Sequence, residues 1–191
     1  MTLATETLPL DGPWTLSFLD ETPRVSETYT MPTPQTWETL GESASVTMGT
    51  GVYETAFKLT INSLAKNSKG KTKVVTKAPS EVSDRWAIDL GDVRESARVY
   101  INNVYVGCAW AVPYVLTFDA SVLKSGENTI RVEVTNLPAN RIADLDRRGV
   151  EWRKFDEINV VDINYKKTKY DGWTTVPSGL NSSVRIYAVK E

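Results

Sequence analysis

Apolar residues recur at every second position through much of this chain. Residues 13–19 place Trp14, Leu16 and Phe18 on one face, and 129–135 set Ile130, Val132 and Val134 opposite Arg131, Glu133 and Thr135. Residues 51–61 bring Val52 and Tyr53 together with Phe57, Leu59 and Ile61, and 183–189 alternate Val184, Ile186 and Ala188. A period of two marks a half-buried antiparallel strand, because successive side chains leave a pleated backbone on opposite faces. Shorter apolar runs at 86–90, 97–101, 104–107 and 112–118 extend the series. Gly91-Asp92, Asn102-Asn103 and the stretch Lys124-Ser125-Gly126-Glu127-Asn128 supply turns between them. The Asn-Asn pair predicts a tight hairpin, since asparagine tolerates the positive φ that such turns need. Many short strands at this spacing point to a sandwich or barrel rather than βαβ units.

Two stretches break the rhythm. Residues 62–84 are polar and predict a long exposed connection, while 139–157 are dense in charge and predict a short helix or a structured loop around Trp152 and Phe155. Trp14 and Trp86 fall in alternating strands and are expected in the core.

Composition narrows the chemistry. The chain has 191 residues, 41% of them hydrophobic, which suits one domain with a proper core. It has no histidine, so Ser-His-Asp and Cys-His nucleophilic sites and imidazole-ligated metals are excluded. Cys108 is the sole cysteine, which rules out an internal disulfide, and its apolar surroundings predict a small core residue. A net charge of −2 with interleaved signs offers no field for nucleic acid or an anionic membrane. No apolar run approaches the roughly 20 residues that span a bilayer. Residues 1–9 lack the basic start and apolar stretch of a signal peptide.

Several motifs, taken in order, carry a resemblance. Gly49-Thr50-Gly51-Val52-Tyr53-Glu54-Thr55-Ala56-Phe57 is followed by Asp89-Leu90-Gly91-Asp92-Val93 and by 97–107 with its Asn-Asn turn. Then come Pro113-Tyr114, the 123–128 turn, Val132-Glu133-Val134-Thr135-Asn136, Asn140-Arg141-Ile142-Ala143-Asp144 and Pro177-Ser178-Gly179-Leu180. The series resembles the sugar-binding, galactose-binding-like jelly-roll β-sandwich of glycoside hydrolase family 2 and of the family 106 α-L-rhamnosidases. Two departures stand out. Asn103 replaces a usual Gly, and Asn181-Ser182-Ser183 replaces a usual Leu-Gly-Pro.

The resemblance implies an all-β accessory domain of about eight to ten strands, cut from or related to a larger enzyme and not catalytic by itself. Its partners would be carbohydrate and the catalytic domain of that parent, an α-L-rhamnosidase- or β-galactosidase-like enzyme acting on plant or host glycans. Such enzymes are periplasmic or secreted. No cofactor is implied. A structural calcium, held by carboxylates and carbonyls from distant loops, would leave no contiguous spacing to read.

Candidate carbohydrate contacts are Asn140, Arg141 and Asp144, which either hydrogen-bond sugar hydroxyls or pin a loop as an i, i+3 ion pair. Trp110, Tyr114, Trp152 and Trp173 fall in loops or strand ends, where a flat ring either stacks on the C–H face of a sugar or is buried. The carboxylates Asp144, Asp146, Glu151, Asp156 and Glu157 are interleaved with Arg147, Arg148, Arg153 and Lys154, and read as a neutralised, solvated face rather than a hydrolytic pair. A binding module and a structural spacer both remain open on these residues.

Overall fold

Strand-forming alternation accounts for most of the architecture. The computed structural model describes residues 7–59, 84–153, 164, 166 and 168–189. Twelve strands are present among the described residues: β1 (Thr7–Pro9), β2 (Trp14–Thr22), β3 (Tyr29–Met31), β4 (Met48–Leu59), β5 (Arg85–Asp89), β6 (Val93–Arg94), β7 (Ser96–Ile101), β8 (Val104–Ala109), β9 (Val115–Asp119), β10 (Gly126–Thr135), β11 (Gly179–Leu180) and β12 (Arg185–Ala188). Two short α-helices accompany them, α1 (Glu42–Val46) and α2 (Ala139–Arg147). The expected connection at 62–84 lies outside the described residues except for Asp84.

Ten of these strands form a four-stranded sheet, β1-β12-β5-β9, and a six-stranded sheet, β3-β2-β4-β10-β7-β8, both antiparallel throughout, and β6 pairs with β11. One continuous core lies between them. Leu16, Tyr53, Val99, Ile130 and Val132 from the larger sheet meet Ile88, Phe118 and Ile186 from the smaller. The all-β sandwich expected from the sequence is therefore the fold. Trp14 is fully buried and Trp86 packs against the core, as their strand positions predict. Cys108 does not: it is half-buried on the outer face, opposite exposed Arg98. The reason is register, because Ala97 and Val99 take the inward places on β7 and leave Arg98 and its partner facing out.

The motifs turn out to be fastenings. Asn102 and Asn103 both sit at positive φ (50° and 65°), so each does what glycine would do at the β7–β8 turn. The Asn102 side chain donates to Val122 O and Asn128 Oδ1 and accepts from Thr129 N–H. Deeper in, the Tyr53 hydroxyl accepts from Trp37 Nε1–H at 3.0 Å and from Leu180 N–H at 3.1 Å, and donates to Gln35 O at 2.8 Å. Gly179, at φ 95°, passes so close that a Cβ there would overlap both Trp37 and Tyr53. Asn136 accepts from Gly49 N–H and donates to Thr47 O and Ser178 Oγ, tying the end of β10 to the start of β4 and to β11. The Asn181-Ser182 departure has its own task. Ser182 Oγ accepts from Asp92 N–H and donates to Leu90 O, while Asn181 donates to Asp92 Oδ2, which together clamp the Gly91-Asp92 turn.

Candidate functional site

Strand register collects the remaining loops at one end of the sandwich. Leu19 pairs with Thr50, Thr50 with Thr135, and Thr135 with Ser96, while Ala97 pairs with Ala109. The end of β2, the start of β4, the exit from β10 and the β8–β9 connection therefore share a rim. Exposed apolar side chains concentrate there: Leu19, Met48, Trp110, Val112 and Leu137 all stand at strand ends along this row.

Helix α2 leaves β10 at the same rim. Its first turn has no side-chain cap, its buried face is Asn140 and Ala143, and Arg147 lies in its last turn, where a cation suits the helix dipole. The helix ends in a Schellman turn: Val150 N–H donates to Leu145 O and Gly149 N–H to Asp146 O, with Gly149 at φ 65°. That reversal carries the chain back across the helix end and brings Trp152 to Asp146.

Asp146 then organises two separate segments. Its Oδ1 accepts from Trp152 Nε1–H at 2.5 Å and its Oδ2 from Tyr170 N–H at 2.7 Å. The Trp152 hydrogen bond first, then the Tyr170 amide, hold this carboxyl below its usual range, with burial opposing and the charges of Arg153 and Lys169 assisting. Tyr170 stands 6.1 Å from the Trp152 ring and makes an edge contact with Trp173 at 4.6 Å and 67°. The Arg153 guanidinium lies over Trp152 at 5.0 Å and over Tyr170 at 5.3 Å, and donates to Thr168 O. A cavity of about 290 Å³ opens beside this cluster, lined by Asp146, Val150, Trp152, Arg153, Thr168 and Lys169 among others. That is room for about one sugar ring, at the lower edge of ordinary ligand pockets.

The structure sorts the expected contacts into groups. Trp152 and Trp173 come together; Trp173 is half-exposed. Trp110 is 76% exposed on the same rim, in the β8–β9 connection. Tyr114 is a correction to the sequence expectation: it is buried in the core, where its backbone carbonyl accepts from Leu90 N–H. Asn140 is likewise buried, its amide donating to Val176 O and accepting from Val176 N–H, so it staples the 168–178 loop to α2. Arg141 pairs with Asp144 at 2.8 Å on the half-buried flank of the helix, and Arg148 adds a second contact to Asp144 at 3.3 Å. Of these polar residues Asn140 ties the loop to α2, while Arg141 and Asp144 pair within the helix. Asp156 and Glu157 lie outside the described residues.

Sequence reasoning did not nominate Tyr170, Arg153 as a ring partner, or Asp146 as an anchor. A signal for Tyr170 existed: Asp171-Gly172 is a turn dipeptide, and Trp173 N–H does close a turn onto Tyr170 O, which sets the two rings side by side. Both oxygens of Asp146 already accept a hydrogen bond, and a glycosidic general acid needs a raised pKa rather than a lowered one. Among the described residues no group of three carboxylate or thiol side chains is placed to hold a metal ion.

No protein-family model matches the chain. A protein of Formosa agariphila provisionally named a beta-glucuronidase is 29% identical over an alignment 137 positions long that covers 63% of this chain and 12% of that protein. Among solved structures, the rhamnosidase of Novosphingobium sp. PP1Y superposes with a TM-score of 0.62 at 23% identity, over 97% of this chain and 16% of that one. A Bifidobacterium dentium beta-glucuronidase complexed with coumarin-3-O-glucuronide gives 0.56 at 18%, over 97% of this chain and 30% of that one. The beta-D-mannosidase of Dictyoglomus thermophilum gives 0.51 at 15%, over 96% and 23%. The chain thus spans less than a third of each of these proteins. Its fold is a β-sandwich of the kind that makes up a minor part of larger glycoside hydrolases.

Proposed function

We propose that this chain is a non-catalytic accessory domain of a glycoside hydrolase, and that the Trp152–Tyr170–Trp173 cluster binds carbohydrate. The observation that carries the reading is the cavity beside that cluster, with a half-exposed indole next to it. Aromatic rings close to hydrogen-bonding groups suit the amphipathic surface of a sugar, whose C–H faces stack and whose hydroxyls need partners. The likeness to a small share of several glycoside hydrolases supports an accessory role beside a separate catalytic domain. The parent activity expected from the sequence, α-L-rhamnosidase- or β-galactosidase-like, is part of the same proposal, and a rhamnosidase is among the enzymes that contain this fold. Action on plant or host glycans, outside the cytoplasm, belongs to the same proposal.

Titration of the chain with mono- and disaccharides of rhamnose, galactose and glucuronate, followed by the indole N–H resonances, tests it. Saturable shifts at Trp152 and Trp173 are expected. Flat titrations across the panel with the fold intact would overturn the binding role.

One observation favours a second reading, that of an interface domain. Trp110, Val112, Leu137 and Met48 expose apolar surface on one rim, and such surface ordinarily meets a partner. In that case iodide quenches Trp110 fluorescence in the isolated chain and not in the complete parent enzyme.

A further inference from the structure

We propose that the cavity beside α2 selects saccharides bearing a negative charge, a uronate carboxylate or a sulfate ester, and that Arg153 is the group that reads it. The inference rests on the carbohydrate reading above and names the class of sugar.

A bare aromatic platform would offer its faces to a neutral pyranose. Here the Arg153 guanidinium already covers one face of Trp152 and one of Tyr170, at 5.0 and 5.3 Å. A sugar entering on that side meets a cation rather than a ring. Two aromatic faces and the Thr168 carbonyl hold that cation in one orientation, so little side-chain freedom is lost when a ligand binds. A guanidinium carries five N–H donors in a planar fork that matches carboxylate and sulfate oxygens. The described hydrogen bond of Arg153, to the Thr168 carbonyl, uses one of these five donors.

Charge around the cavity is mixed, with Arg153 and Lys169 beside Asp146, Glu151 and Asp171, so the placement of each group decides. Asp146 turns its two oxygens to Trp152 and Tyr170 and makes no direct contact with the Arg153 guanidinium, although their charges interact. Glu151, Lys169 and Asp171 are all exposed and water screens their charges, whereas Arg153 is half-buried and is screened least. Trp173, half-exposed and in edge contact with Tyr170, stands ready to stack on a neighbouring ring of an oligosaccharide.

The test is calorimetric titration of the 191-residue chain with three disaccharides: one carrying a uronate, one carrying a sulfate ester, and a neutral galactose disaccharide. At low salt at least one acidic disaccharide is expected to bind roughly tenfold tighter than the neutral one, the ratio that one surviving charge-assisted hydrogen bond supports. Which of the two acidic sugars wins distinguishes carboxylate from sulfate. The preference should vanish in Arg153→Gln. If that variant fails to fold, salt decides on the native chain: raising NaCl from low to high should weaken acidic binding several-fold and leave neutral binding unchanged. Equal affinity for neutral and acidic disaccharides, with indole shifts at Trp152 and Trp173, overturns the charge selection and leaves carbohydrate binding standing. No heat with any of the three, the fold being intact, overturns both.

Discussion

Replacing Tyr53 by phenylalanine removes one oxygen atom from the middle of this fold, and the consequence can be worked out. That oxygen accepts two hydrogen bonds, from Trp37 Nε1–H and Leu180 N–H, and donates one to Gln35 O. Trp37, Tyr53 and Leu180 are all fully buried. The void left by a single oxygen is too small for a water to take its place. Two buried donors are then orphaned, each costing about 1–3 kcal/mol, so Tyr53→Phe should destabilise by about 3–5 kcal/mol. Urea unfolding at neutral pH, followed by tryptophan fluorescence, measures it as a midpoint lowered by about 1.5–2.5 M at a slope of about 2 kcal/mol/M. The same substitution has a pH signature. Burial pushes the Tyr53 hydroxyl well above its ordinary value, with the Leu180 and Trp37 hydrogen bonds only partly offsetting this. Above about pH 10 the unfolded chain releases this proton while the folded chain keeps it. The stability that the neutral phenol contributes is therefore complete below that pH and is lost as pH rises further. The native chain should weaken on this alkaline limb more steeply than the variant. A destabilisation below about 1 kcal/mol would refute the hub, because it would mean that the two donors find other partners.

Three further perturbations probe separate links. Gly179→Ala combines a positive φ with overlap onto Trp37 and Tyr53, and should cost at least about 3 kcal/mol, read as lost soluble yield or a lowered Tm. At the β7–β8 turn, Asn102→Gly loses three side-chain hydrogen bonds and should cost about 1–3 kcal/mol, whereas Asn103→Gly, at φ 65°, should stay within about 0.5 kcal/mol of native; equal effects in urea titrations would contradict the assignment. Asp146→Asn keeps one acceptor of two, so either Trp152 or Tyr170 is released. On the native chain the same release should follow acidification, because a carboxyl held below its ordinary pKa contributes above that value and loses its hold as pH falls through the lowered one. Faster exchange of the Trp152 indole proton at low pH, with core amides still protected, is the expected record.

The strands were legible because a half-buried segment repeats a two-residue alternation, which runs through Trp14, Leu16 and Phe18 in β2 and Ile130, Val132 and Val134 in β10; β4 adds a stretch, Gly51 to Tyr53, buried on both faces. The hairpin at Asn102-Asn103 was legible for a stereochemical reason, since few residues accept its two positive φ angles. Helix α2 was only half legible. It has no capping side chain, and its charged residues mark a solvated surface in any secondary structure. The site was less legible still, because sequence proximity misleads there. Asn140 follows a strand and carries an amide suited to sugar hydroxyls, yet its partner is Val176, 36 positions away. Tyr114 sits beside a proline at a strand entrance, a place that looks exposed, and is swallowed by the core between the sheets.

The motif residues and the departures from them play different structural parts in this molecule. Gly51, Tyr53, Asn136, Ser178 and Gly179 converge on one buried network around Trp37 and hold β4, β10 and β11 to one another. A substitution in that network strands a buried donor or forces an overlap, so its residue types are strongly constrained by energy. Asn181 and Ser182 stand just beyond it, and they show that a neighbouring turn can be fastened with a different set of hydrogen bonds once the hub is fixed. The 146–153 turn and the 168–173 segment are joined to each other through Asp146 and the Trp152, Arg153, Tyr170 and Trp173 contacts, and Asn140 ties the following Val176 to α2. A rigid sandwich end that holds an aromatic loop is the arrangement in which ligand choice can change without loss of the fold. For that reason the identity of Arg153, rather than any strand residue, is where the specificity of this domain should be sought.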